Sequence, residues 1–87
     1  MKNLVELLAR ALVDEPDAVD VREVEDGELL VVELRVAAGD VGKVIGRQGR
    51  TVNAMRTLLH AASIKTQRRV QLEVIDEGDG APNGAGA

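Results

Sequence analysis

The sequence predicts an α+β fold: one small domain in which a three-stranded sheet carries three helices on one face, in the order α-β-β-α-α-β. Three observations lead there. Eighty-seven residues make one domain and leave no room for a second. Hydrophobic residues at 45% beside charged ones at 30% describe a chain able to bury a core. The apolar residues also change period along the chain, recurring at three or four residues in some stretches and alternating in others, which separates helices from strands.

Leu4, Val5, Leu7, Leu8, Ala11 and Leu12 recur at helical spacing, with Glu6, Arg10 and Asp14 on the other side, so residues 3–14 read as an amphipathic helix that Pro16 stops. Val19 and Val21 then alternate with Asp20 and Arg22, and Asp26-Gly27 separates this run from the β-prone stretch Leu29 to Val36, a hairpin signal. In the second strand Leu30, Val32, Leu34 and Val36 share one face and are expected inside. The spacing slips between Val21 and Val24, which reads equally as a bulge or as an outward valine.

Ala38-Gly39 ends that strand, and Asp40 is expected to cap a short helix whose apolar face is Val41, Val44 and Ile45, up to Gly46. A longer helix is expected from Arg50 to Ser63, with Val52, Met55, Leu59 and Ala62 facing the core. Arg69 to Ile75 alternates again, with Val70, Leu72 and Val74 on one side, and makes the third strand. Residues 1–77 form the domain, and the Gly/Ala-rich stretch 78–87 is expected to be a flexible tail with no part in function.

Composition excludes several kinds of protein. Without cysteine there is neither a disulfide framework nor a thiolate zinc site, and one histidine cannot alone build a catalytic metal centre, so no metal or cofactor is expected. No run approaches the roughly 18 apolar residues of a membrane span. The first residues enter an amphipathic pattern at once, unlike a signal peptide, so no membrane association is expected and the expected compartment is the cytoplasm. Phe, Tyr and Trp are all absent. Recognition must therefore use backbone, aliphatic and charged groups.

The net charge of -4 conceals a sharp division. Residues 1–40 hold four bases against eleven acids, and residues 70–87 hold four acids and no base. Between them, residues 41–69 hold Lys43, Arg47, Arg50, Arg56, Lys65, Arg68 and Arg69 and not one Asp or Glu. Affinity for phosphates depends on the local field of one face, and acidic surroundings suppress indiscriminate binding without cancelling it.

Within that basic block Gly46 and Gly49 flank Arg47 and Gln48, between a short helix and a long one. Glycines without Cβ atoms let the chain turn tightly and let a ligand's backbone come close. The first peptide N–H groups of the following helix lack intrahelical partners and lie at the positive end of its dipole, which suits an anion. Lys43, Arg47 and Arg50 add charge around the same point. A bare G-x-x-G is common as a plain connector; its weight here comes from the preceding Val44-Ile45, the following Val52, the acid-free block and the β-α-α-β context.

Val44 to Val52, read as V-I-G-x-x-G-x-x-V, closely resembles the signature of the KH domain family. The order of elements resembles the prokaryotic, type II arrangement, and the resemblance spans roughly residues 2–76. It implies a small non-catalytic, cytoplasmic binder of single-stranded RNA acting as an RNA chaperone. It further implies a homodimer or a complex with a larger protein that also carries a KH domain, and a link to cell elongation, cell shape and wall homeostasis. By the same resemblance Gly46, Arg47, Gln48 and Gly49 form a clamp on the sugar-phosphate backbone, Lys43 and Arg50 flank it, and Ile45 and Val52 sit where an apolar groove for the bases begins. KH loops are known to hold about four nucleotides in this way. With no aromatic to stack on a base, one copy is expected to bind weakly and with slight sequence preference.

Weak binding by one copy favours duplication. Ala54, Leu58 and Ala61 on the long helix form a second apolar face, which reads equally as a dimer contact through the Arg50–Ser63 helix or as part of the groove or core. His60 has no Ser, Cys or carboxylate in register to make it a general base. Lys65, Arg68 and Arg69 read as an extension of the phosphate track or as a solvated turn. Glu23, Glu25, Asp26 and Glu28 read as solvation of a turn without the ligand spacing of a calcium loop. A nucleotide-phosphate enzyme fails because Val44 follows Lys43 where a P-loop needs Ser or Thr. A protein-interaction module with little RNA affinity stays open, as does single-stranded DNA, since a phosphate clamp does not read the 2′-OH.

Overall fold

The computed structural model describes residues 1–75, and the tail expected over 78–87 lies outside the described residues. In chain order the elements are α1 (Lys2–Leu12), β1 (Asp20–Asp26), β2 (Leu29–Arg35), α2 (Val41–Ile45), α3 (Arg50–Thr66) and β3 (Arg69–Ile75). Short 3₁₀ turns at Pro16–Ala18, Ala38–Asp40 and Arg47–Gly49 join them.

Helix α1 buries Val5 and Ala9 completely and leaves Leu7 68% exposed, so its inner stripe is narrower than the run of leucines suggests. It ends at Leu12 with Val13 extended, and Pro16 opens the following 3₁₀ turn, where its missing N–H costs nothing. Glu23 Oε2 accepts the Lys2 N–H at 3.0 Å, so a β1 carboxylate sits at the positive end of α1. This acid therefore does more than solvate a turn.

Strand β2 lies in the middle, antiparallel to β1 and parallel to β3. Asp26 pairs with Leu29, which makes Gly27 and Glu28 the two turn residues, with Gly27 at φ +63°. The β1–β2 ladder is unbroken from Asp20↔Arg35 to Asp26↔Leu29, so there is no bulge, and Val24 faces outward. Parallel neighbours cannot be joined by a tight turn; α2 and α3 form the crossover from β2 to β3.

Leu30, Val32, Leu34 and Val36 are all buried and meet Val21, Leu72, Val5, Val44, Val52, Met55 and Leu59 in a single core. All three helices thus cover the same face of the sheet. Helix α3 runs to Thr66 and ends at Gln67 in the left-handed conformation. Its last core position is Ser63, not Ala62; the Ser63 hydroxyl donates to the His60 carbonyl at 2.6 Å, which satisfies the buried oxygen.

Asp40 departs from its expected role. Its side chain makes no hydrogen bond to the start of α2. Only 3% exposed, it accepts the Glu15 N–H on Oδ2 at 3.0 Å and faces Lys43 Nζ at 3.7 Å through Oδ1. It fastens the α1–β1 linker to the start of α2.

Candidate nucleic-acid interface

The glycine turn sits inside the crossover, between α2 and α3. Gly46 ends α2 at φ +78° and ψ 170°, its N–H donating to the Gly42 carbonyl at 2.8 Å. The chain then makes one 3₁₀ turn, closed by the Gly49 N–H on the Gly46 carbonyl at 3.1 Å. Gln48 at φ +57° and Gly49 at φ +75° are both left-handed, and the Arg47 and Gln48 side chains are exposed. A Cβ on Gly46 would fall on the Thr51 side chain and 2.8 Å from the Thr51 nitrogen, so this position must be bare for α3 to start where it does. Gly49 occupies the N-cap of α3 and has no side chain with which to cover the first amides of that seventeen-residue helix.

The site residues named from the sequence fall into three groups. Arg47, Gln48 and Arg50 are exposed, and neither arginine has an ion-pair partner among the described residues; Gly46, Gly49 and Ile45 are half-buried. Val52 is 4% exposed and belongs to the core, so it anchors the turn from beneath and offers little surface of its own. Lys43 is exposed yet drawn away, its Nζ 3.2 Å from Asp14 Oδ2 and 3.7 Å from Asp40 Oδ1. The hydrogen bond and charge of Asp14, with a smaller contribution from Asp40, raise the lysine pKa above its ordinary 10.5.

Two basic residues beyond the turn have partners that only the structure shows. Arg56, one helical turn past Val52, donates to Asn53 Oδ1 at 3.3 Å and to the Leu72 carbonyl on β3 at 3.5 Å. It thereby bridges α3 and the edge strand. Its spacing of four from Val52 is the only hint the sequence offers that it borders the core stripe. Arg68, by contrast, pairs with Glu25 at 3.4 Å, which separates it from Arg69 and gives a second hairpin acid a structural partner. Among the described residues no group of His, Asp and Glu is placed to hold a metal ion, and no helix is long and apolar enough to cross a membrane.

A helix–strand–strand–helix–helix–strand chain whose two crossover helices are joined by an exposed G-x-x-G turn is a KH domain of the type II arrangement. The model of the KhpA/KhpB KH domain matches residues 2–74, and the chain belongs to that family, a non-catalytic one. The chain is 55% identical over 76 residues to the RNA-binding protein KhpA of Halalkalibacterium halodurans, a match covering 87% of this chain and 100% of the relative. It is 51% identical over 75 residues to the KhpA of Caldanaerobacter subterraneus, covering 86% and 100%, and 47% identical over 76 residues to that of Aquifex aeolicus, covering 87% and 96%. No solved structure matches the chain.

Proposed function

We propose that the protein is a non-catalytic binder of single-stranded RNA that holds the sugar-phosphate backbone on the Gly46-Arg47-Gln48-Gly49 turn. The observation that carries this reading is the exposed turn at the uncapped start of α3, with Arg47 and Arg50 beside it and no carboxylate paired to either among the described residues. The names of the KhpA relatives, each an RNA-binding protein, support it.

Ile45 and the exposed parts of α2 and α3 border the bases, and Lys43 joins the clamp when a phosphate displaces Asp14. The family resemblance extends the reading to an RNA chaperone, active in the cytoplasm as a homodimer or with a larger KhpB-like partner and serving cell elongation and wall homeostasis. Helix α3 leaves Ala54, Leu58 and Ala61 exposed on one stripe, which supports the homodimer.

Replacing Arg47 and Gln48 together by Asp tests the clamp. Both positions are exposed, and Asp tolerates the left-handed backbone of Gln48, so the melting temperature should stay nearly constant while RNA binding is abolished. Unaltered RNA affinity in the folded variant overturns the clamp. Parallel titrations with DNA of the same sequence measure how far the 2′-OH contributes.

A further inference from the structure

The side chain of Thr51, the second residue of α3, lies where a side chain on Gly46 would have to go. A Cβ built on Gly46 would fall on Thr51 Oγ1 and stand 2.6 Å from Thr51 Cβ. We propose that Thr51 is a positioning residue of the clamp, packed against Gly46 so that the bend presents Arg47, Gln48 and the first amides of α3 in one fixed arrangement. The inference rests on the RNA-binding reading above, and the role needs no contact between Thr51 and the ligand.

The turn needs such a support. Gly46 has φ +78° and ψ 170°, a combination essentially confined to glycine, and glycine is the residue with most alternatives to fall back on. Gln48 adds a second costly position, a left-handed residue that carries a Cβ. The exposed side chains of Arg47 and Gln48 have no hydrogen bond or ion pair among the described residues, so they do not hold the turn from outside. Backbone hydrogen bonds from Gly46 to Gly42 and from Gly49 to Gly46 close its two ends. On the bend itself, the three atoms nearest to the missing Gly46 side chain all belong to Thr51.

Residue type fits the role. A β-branched side chain is stiff at χ1 and makes a firmer stop than an unbranched one. The Thr51 hydroxyl is also uncommitted. The chain holds four hydroxyl side chains; Thr57, Ser63 and Thr66 donate to the carbonyls of Asn53, His60 and Ser63, whereas Thr51 has no hydrogen bond among the described residues. What Thr51 supplies is therefore shape, which valine should supply equally. Alanine should not, although it favours a helix more.

The test compares Thr51→Ala and Thr51→Val on the full chain. Binding of a ten-nucleotide oligouridylate is read by fluorescence anisotropy over a salt series, and motion of the Gly46 to Gly49 amides by NMR relaxation dispersion without RNA. Thr51→Ala should keep its melting temperature, show exchange at those amides and bind about fivefold more weakly, as for a competent state populated about one part in five. Its slope of log affinity against log salt should match the wild type, since no phosphate contact is removed, whereas Arg47→Gln should lower the slope by about 0.7. Thr51→Val should restore both the quiet amides and the wild-type affinity. Full affinity in Thr51→Ala overturns the proposal. Equal loss in the two variants does so too, since the hydroxyl would then be a direct ligand contact. A marked fall in the melting temperature of Thr51→Ala also overturns it, as the mark of a residue that supports the whole fold. Failure of the underlying reading looks different: the wild-type chain then binds no RNA, and both proposals fall.

Discussion

Lys43 Nζ lies 3.2 Å from Asp14 Oδ2, so the lysine just before the glycine turn is held by the linker that follows α1. Asp14 is largely exposed and Lys43 about half so, which leaves the pair open to exchange with an incoming phosphate. The substitution Asp14→Asn should release the lysine, strengthen RNA binding and steepen its salt dependence, as measured by anisotropy over a salt series. It should also move the Lys43 pKa back toward 10.5 in an NMR titration. Because the folded-state value is raised, the pair's contribution is complete at neutral pH and is lost as pH rises through that value. The wild type should therefore lose more stability in that alkaline window than Asp14→Asn does.

The two glycines of the turn should respond differently to alanine. Gly49→Ala meets nothing closer than Asn53 Nδ2 at 3.8 Å and suffers only the cost of a left-handed alanine, about 1–2 kcal/mol. Gly46→Ala adds to the same kind of strain a collision with Thr51 at the start of α3, and should destabilise the domain by clearly more. Urea titrations of the two variants check the order; equal losses would show that Thr51 moves aside freely.

Asp40→Ala should destabilise the domain by about 1–2 kcal/mol by leaving the part-buried Glu15 N–H without its acceptor. Asp40→Asn keeps an acceptor oxygen and should recover at least half of that. Thermal melts of the pair separate loss of the linker bond from loss of charge.

The homodimer proposed for α3 makes Leu58 the residue to change, since it is 49% exposed in the single chain and flanked by exposed alanines. Leu58→Glu keeps good helix propensity and should leave the isolated domain as stable as before. Sedimentation at micromolar concentration should then show a species of 9.3 kDa where the wild type shows twice that mass.

The elements most legible in the sequence were those whose apolar and polar residues alternate, β2 and β3. In β2 every second residue from Leu30 is buried, and β3 was marked to the residue by Val70, Leu72 and Val74. The central place of β2 and its parallel pairing with β3 were not legible, because both depend on a crossover rather than on local pattern. Asp40 looked like a cap because its neighbours in sequence suggested one; its true partner, the Glu15 amide, is brought to it by α1. The glycine turn was legible because positive φ and close approach leave a mark in residue type. The pairing of Lys43 with Asp14 was not, since charge alone does not say which acid a flexible lysine will meet. The contact of Arg56 was hidden for a related reason: its acceptor, the Leu72 carbonyl, is brought beside α3 only when β3 joins the sheet.

The unbroken β1–β2 ladder ends in a turn whose Gly27 has open space around it and lies in the hairpin, outside the crossover that carries the glycine turn. An affinity tag or fluorophore spliced between Gly27 and Glu28 would therefore extend a tip already pointing into solvent. It would provide a handle for immobilisation that spares the gripping segment.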